Sequence, residues 1–283
     1  MNDVISRSPY RVAAIQMTSG DNKQHNLETV ERLVVEAVDH HQAALVLLPE
    51  NFSLFDGSAS LELGRQQATG LGDVRRFIAS LSARLKVWIV AGSIPCSVRP
   101  DGVLIDGRVR SACWVYDDQG KEVSRYDKVH LFDVDVGDQH GSYCESAQFE
   151  AGTEVVVANS PMGTLGLSIC YDLRFPELYT RLAKQGAQII TVPAAFTYKT
   201  GEAHWEVLLR ARAIESQCYV IAANQTGAHS KGRKTWGHSM IINPWGEVVA
   251  MAKAGEGVIS ADIDLTSLSE LRAAMPISSH RRI

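Results

Sequence analysis

The sequence is short of the features that organise many chains from outside their core. Its five cysteines, Cys96, Cys113, Cys144, Cys170 and Cys218, are odd in number, widely spaced and without a Cys-x-x-Cys pair. That excludes a disulfide framework and a zinc knuckle. There is no excess of positive charge: 28 Lys and Arg stand against 32 Asp and Glu, a net charge of −4, with the basic residues scattered. Neither nucleic acid nor an anionic membrane is therefore an expected partner. Apolar runs such as Ala43–Pro49 fall far short of the roughly 18 residues of a membrane span, and Met1–Ser6 lacks the basic flank of a secretory leader. A soluble, cytoplasmic protein is expected. No repeat or low-complexity linker divides the chain, so a single domain over 1–283 is expected, with a core at about 10–264 and a C-terminal tail at about 265–283. A hydrophobic content of 45% is enough for a large core.

What is present is an alternation of short apolar runs and amphipathic stretches. Tyr10–Met17, Ala43–Leu48, Val87–Ile94, Gly163–Ile169, Ala187–Pro193, Cys218–Asn224 and Val258–Ile263 read as strands. Ala112–Tyr116 with Glu122–Tyr126, and His238–Asn243 with Glu247–Met251, read as hairpins. Helical periodicity marks Asn22–Asp39, Asp73–Leu85, Glu177–Gln185 and Ala203–Gln217, the first with Leu27, Val30, Leu33, Val34 and Ala37 on one face. The α/β pattern predicts two mixed sheets faced by helices.

Three places carry chemistry. The run Leu165-Gly-Leu-Ser-Ile-Cys170-Tyr-Asp-Leu-Arg-Phe-Pro-Glu177 takes an apolar strand to a cysteine and then to a helix start at Pro176. A thiol there would meet the positive end of a helix and free N–H groups, although an apolar-strand cysteine taken alone is more often inert packing. Pro49-Glu50 follows the second strand, where α/β folds place functional groups, though a surface turn glutamate is the commoner reading of position alone. In Tyr126-Asp-Lys128-Val-His130-Leu-Phe-Asp133-Val-Asp135, period-two alternation puts Lys128, His130 and Phe132 on one strand face. A strand-end lysine is usually solvated. His130, Asp133, Asp135 and His140 could be read as metal ligands, but that alternation sets His130 opposite both aspartates, and no metal site is expected.

Taken together and in order, the Pro-Glu after an apolar strand, the Lys in Tyr-Asp-Lys-Val-His-Leu-Phe-Asp and the Cys in Ile-Cys-Tyr-Asp-Leu-Arg-Phe-Pro-Glu resemble the nitrilase (carbon–nitrogen hydrolase) superfamily, over about Val12–Arg282. The resemblance implies a four-layer α-β-β-α sandwich, no cofactor, and hydrolysis through a thioester. It casts Glu50 as general base, Lys128 as oxyanion partner and Cys170 as nucleophile, with Glu145, 17 residues after Lys128, as a second glutamate beside them. The Tyr171 backbone N–H would join Lys128 at the oxyanion. Thr-Gly201-Glu-Ala-His-Trp-Glu and Trp236-Gly-His-Ser-Met-Ile-Ile-Asn-Pro-Trp-Gly246 resemble the branch named for deaminated-glutathione amidase, with the ω-amidase branch a near relative. That implies a small 2-oxo acid amide as substrate, its carboxylate held by Arg174 or by the Phe196–Thr200 stretch, including Phe196 and Thr197. A nitrilase or N-carbamoyl amidohydrolase would use the same residues on another bond, and a catalytically silent interaction protein would keep the fold alone. Arg110 and Ser111 depart from the Tyr-Asn common in the family and put local substrate contacts in question. His130, His204 and His238 are expected to be structural. A homodimer is expected, with Leu178, Tyr179 and Leu182 offering apolar surface.

Overall fold

The structure, a computed structural model, describes residues 9–68, 72–137 and 141–282. Met1–Ser6 and His140 lie outside the described residues. The chain begins with β1 (Tyr10–Gln16), α1 (Lys23–Asp39), β2 (Leu45–Leu47), α2 (Ser60–Gln67) and α3 (Asp73–Leu85), then β3 (Trp88–Cys96), β4 (Arg110–Tyr116) and β5 (Glu122–Asp127). A short ribbon of β6 (Asp133–Asp135) and β7 (Ser142–Cys144) leads to β8 (Val157–Ser160), β9 (Gly163–Leu167), α4 (Pro176–Lys184), β10 (Ile189–Ala194), α5 (Tyr198–Ser216) and β11 (Tyr219–Asn224). A second ribbon, β12 (Thr226–Ala228) with β13 (Lys234–Trp236), precedes β14 (Met240–Ile242), β15 (Val248–Met251), β16 (Gly257–Ile263), α6 (Leu265–Ala274) and α7 (Ile277–His280).

The strands form two six-stranded mixed sheets, in the orders β16-β1-β2-β3-β4-β5 and β15-β14-β11-β10-β9-β8. Each has a parallel centre, β1-β2-β3 in one and β9-β10-β11 in the other, flanked by antiparallel strands. Strand alternation explains the layering. Val12 and Ala14 of β1 pack with Leu45 and Leu47 into the core shared with the second sheet, while Ala13 and Ile15 face Val30, Leu33 and Val34 of α1. On the far side α5 covers the second sheet with Trp205, Leu209 and Ala213. The result is the expected four-layer α-β-β-α sandwich, whose two facing sheets are joined just beyond the ends of β1 and β11, where Met17 bridges Gln225.

Several local expectations are revised. The predicted strand face at Lys128, His130 and Phe132 does not exist: β5 ends at Asp127, where the Lys128 N–H makes one last bond to Ser111 O (2.9 Å) and the chain turns into the site. α2 carries too few apolar residues to show a period, and its buried Leu63 sits among polar neighbours. α5 starts at Tyr198, five residues before the predicted Ala203, because Gly201 lets the helix approach Trp236; a Cβ there would lie 2.2 Å from the Trp236 Cβ. Leu178, Tyr179 and Leu182 are buried in the chain's own core, so they offer no surface to a second copy. The tail is ordered: Arg272 on α6 donates to Gln217 O and Ala187 O (3.0 and 2.7 Å).

The strand end that presents Glu50 depends on one glycine. The β3–β4 register shifts between Ala91 and Ile94, and within that irregularity Gly92 has φ +22°. A Cβ on it would lie 1.9 Å from Pro49 O and 2.8 Å from Leu48 O, so the neighbouring backbone can approach only because the side chain is missing. We expect Gly92→Ala to destabilise the fold by about 3 kcal/mol or more, with activity lost through displacement of Glu50; denaturant unfolding with a stability change below about 1 kcal/mol would show that the close approach is not needed.

Candidate active site

Four sequence-predicted residues converge at the ends of these strands. Glu50 leaves β2 in a turn where Asn51 has φ +58° and its N–H donates to Ser93 Oγ (3.0 Å), while Gln225 Nε2 donates to Glu50 O (3.0 Å). Gln225 also binds Ser19 through both ends of its amide, so one buried side chain ties the β1, β2 and β11 termini together. Lys128 follows β5, Glu145 follows β7, and Cys170 stands just after β9.

The Lys128 ammonium is 2% exposed and lies 2.8 Å from Glu50 Oε1 and 2.9 Å from each Glu145 oxygen. Glu145 also accepts the Phe132 N–H at 2.7 Å. Burial alone would push the lysine down, but the Glu145 and Glu50 carboxylates together hold it well above the ordinary lysine range. Glu145 itself is raised, by burial first and by Glu50, against the opposing pull of Lys128. Cys170 is raised well above the ordinary thiol range, first by burial and then by the nearby Glu50 carboxylate; Lys128 and the Ala195 N–H act in the opposite direction without overcoming them. At rest the group is therefore a thiol beside a carboxylate.

The turn at the sulfur differs from expectation. Cys170 has φ +48°, a strained conformation for a side-chain-bearing residue, and opens a 3-10 turn over Cys170–Arg174, so α4 starts only at Pro176. The positive end of α4 is not at the thiol, and the backbone group that favours its ionised form is the Ala195 N–H. What fixes the turn is Asp172, fully buried. It accepts from Tyr126 Oη (2.7 Å), Ile169 N (2.9 Å) and His130 N (3.0 Å), and His130 Nδ1 lies at 2.7 Å. His130 stacks flat on Phe175 at 3.7 Å and is thus a structural partner of the turn.

A cavity of about 450 Å³ opens over Cys170, within the range of small-molecule sites. Tyr171, Arg174, Phe196 and Thr197 all line it, as expected. Phe196 N–H is held by Asn224 Oδ1 (3.0 Å), and Thr197 and Thr200 share a hydroxyl contact at 2.8 Å. His204 and His238 are not among the lining residues; they contact Arg174 Nη1 (3.3 Å) and Trp236 O (2.9 Å). Nor do Arg110 and Ser111 reach it. Arg110 is buried behind Lys128, paired with Glu150 at 2.5 Å and bonded to Ala151 O, so the departure from the family pattern alters the scaffold and leaves the cavity wall untouched.

A carbon–nitrogen hydrolase profile matches residues 11–273. The chain belongs to the carbon–nitrogen hydrolase family. It is 45% identical over 276 residues to the deaminated glutathione amidase of Synechocystis sp., covering 96% of this chain and 98% of that one. Among solved structures it resembles the Caenorhabditis elegans NitFhit protein, with a TM-score of 0.85 and 37% identity, over 96% of this chain and 65% of NitFhit. An amidase from Nesterenkonia sp. superposes with a TM-score of 0.74 at 25% identity, over 94% of this chain and 98% of that one; there, in a glutamate-to-glutamine variant, acrylamide has added to the active-site cysteine.

Sequence reasoning missed several members of this hydrolase cavity. Phe55, Tyr143, Gln148 and Arg233 line it from three separate stretches of chain, Tyr143 from β7. Tyr143 stands two residues before Glu145, and Arg233 in the basic run Lys231-Gly-Arg-Lys234; neither carries a spacing that points inward. The Arg233 loop is held by His229, whose Nδ1 faces Ser19 O (2.8 Å) and whose Nε2 faces Thr235 Oγ1 (2.6 Å), stacked on Phe55 at 4.0 Å. Burial lowers its pKa to about 4 from an ordinary 6.5, with the Arg233 charge adding to the effect. The depressed value means that the neutral ring stabilises the fold above pH 6.5 and that this stability is lost as pH falls from 6.5 through 4. The stability advantage of the parent over His229→Asn should shrink by on the order of 2–3 kcal/mol between pH 7 and pH 4, measured by urea unfolding; an advantage constant across that range would refute the assignment.

Proposed function

We propose that the protein is a cysteine-dependent amidase that hydrolyses the amide of a small 2-oxo acid, deaminated glutathione above others, to 2-oxoglutarate and cysteinylglycine. The observation that carries the reading is the buried Lys128 ammonium shared between two carboxylates, one of which, Glu50, also acts electrostatically on the Cys170 thiol. Glu50 takes the thiol proton as the sulfur attacks the amide carbon. The carbonyl electrons move to oxygen, where Lys128 and the Tyr171 N–H hold the charge. Collapse breaks the C–N bond, and Glu50 gives its proton to the departing amine. Glu50 then deprotonates a water that attacks the thioester, and the proton returns to sulfur. Glu145 keeps Lys128 charged and in place.

The high thiol pKa supports proton transfer concerted with attack, in place of a standing thiolate. The acrylamide adduct of the Nesterenkonia amidase supports a cysteine nucleophile at this position of the fold. The name of the Synechocystis relative supports the substrate class, as does a cavity whose wall carries arginines beside the nucleophile. The silent-protein alternative would have no use for a lysine buried at the cost of two paired acids.

Cys170→Ala should abolish ammonia or amine release with the fold retained. Lys128→Met and Glu50→Gln should each lower kcat by about 100-fold or more with little change in KM, and Glu145→Gln somewhat less. Single-turnover kinetics on the purified variants checks this, and an unchanged kcat in Lys128→Met would remove the oxyanion role. The substrate is tested by kcat/KM across three compounds. We expect deaminated glutathione to exceed 2-oxoglutaramate, with little turnover of simple nitriles. A preference for 2-oxoglutaramate would identify an ω-amidase, and one for nitriles would overturn the amidase reading.

A further inference from the structure

The cavity contains a cation that the chemistry of acyl transfer does not use. Arg233 lies with its guanidinium over the rings of Phe55 (4.7 Å) and Tyr143 (5.3 Å), and its Nη2 reaches Ala195 O only at 3.4 Å. Its Nε is buried and has no hydrogen-bond partner. Among the described residues no carboxylate pairs with it. Arg75, Arg110, Arg125 and Arg212, whose side chains are also withdrawn from solvent, each pair with an acid. A guanidinium with a fixed plane, an unmet donor and no paired carboxylate among the described residues, set in a cavity wall, is arranged to accept a carboxylate from outside the protein.

Arg174 is the second such group, over Tyr171 (5.8 Å) and Phe196 (5.4 Å), with His204 as its polar neighbour. The two stand on different elements. Arg174 belongs to the same turn as Cys170, while Arg233 stacks on Phe55, which follows Glu50 in the chain, and on Tyr143, which precedes Glu145. Glu50 must protonate the leaving nitrogen, so the leaving group extends along the Glu50 wall and the acyl arm along the other.

We propose that Arg233 is a specificity-determining residue that binds a carboxylate at the far end of the leaving group, so that the site selects amides anionic at both ends. The inference rests on the amidase reading and deepens it. It explains why a dipeptide leaving group with a free C-terminus would be favoured over ammonia. Phe55 and Tyr143 sandwich the guanidinium and orient it; His229, held neutral, positions the loop without competing for the anion.

The test compares deaminated glutathione with the same compound carrying a carboxamide at its glycine end. In the parent, kcat/KM for the free acid should exceed that for the carboxamide by about 10- to 100-fold, the range of a charge-assisted hydrogen-bonded contact. In Arg233→Met that ratio should fall to near 1, through KM and not kcat, and Arg233→Lys should restore part of it. A ratio that Arg233→Met leaves intact, or a parent ratio already near 1, overturns the proposal. Calorimetric binding of the same two compounds to Cys170→Ala separates this result from the amidase reading. A preference for the free acid of tenfold or more that disappears in Cys170→Ala/Arg233→Met upholds the anion site even if the parent turns over neither compound. Equal affinities reject it even if the parent is an active amidase. Circular dichroism and thermal unfolding of Arg233→Lys and Arg233→Met show whether either variant is misfolded, and the lysine variant carries the test if the methionine one is.

Discussion

Everything at the site depends on one buried ammonium. Lys128 sits between Glu50 and Glu145 with almost no solvent, and each of the three charges is tolerable there only because of the others. Removing the lysine would leave two carboxylates facing each other in a poorly polarisable medium, where one would be forced to take up a proton. Removing either acid would leave a buried cation short of its partner. Groups coupled in this way cannot be varied singly without a cost of several kcal/mol. The arrangement therefore preserves a charge pattern as a unit, and in the proposed mechanism it fixes a cation before any negative charge develops on oxygen.

The same electrostatics decides the resting state of the cysteine. Two carboxylates and one ammonium leave the cluster net negative, and a thiolate would add to that excess in a buried position. The sulfur accordingly holds its proton beside Glu50. In the proposed mechanism geometry then replaces a low pKa as the source of reactivity. Asp172 gathers bonds from Tyr126, Ile169 and His130, so the strand that ends near Lys128 and the turn that carries Cys170 are tied through one buried carboxylate. The positive φ at Cys170 persists because that network over-determines it.

This division shows what could be read from the sequence and what could not. The sheet strands and the α1 stripe were legible because alternation and helical period are local signals that tertiary packing reinforced: Leu27, Val30, Leu33, Val34 and Ala37 are all buried on one face. Glu50, Lys128, Glu145 and Cys170 were legible only as members of an ordered set, since each alone has a commoner, uninteresting reading. The local signal failed at Lys128–Phe132, where alternating residues imitate a strand but the backbone leaves the sheet to satisfy Asp172 and Glu145. At the cysteine the helix start was legible in Pro176, but the tight turn between Cys170 and Pro176, which keeps the thiol away from the positive end of that helix, was not.

Arg233 marks a deeper limit. Nothing in Lys231-Gly-Arg-Lys234 distinguishes a solvated basic turn from a cavity wall, because the distinction lies in Phe55, some 180 residues earlier, and Tyr143, 90 residues earlier. Glu50, Lys128, Glu145 and Cys170 follow strand ends whose positions the sheets dictate. Phe55 and Arg233 stand on connections between strands and Tyr143 on a short ribbon, far apart in the chain. Strand ends give the catalytic cluster the rigidity that pre-organisation needs, whereas loops can change length and composition without disturbing it. A fold built this way can hold one cluster fixed while the walls around it vary. On the proposed reading the substrate is selected by long-range contacts such as that of Arg233 with Phe55, and these become readable only when the cavity itself is in view.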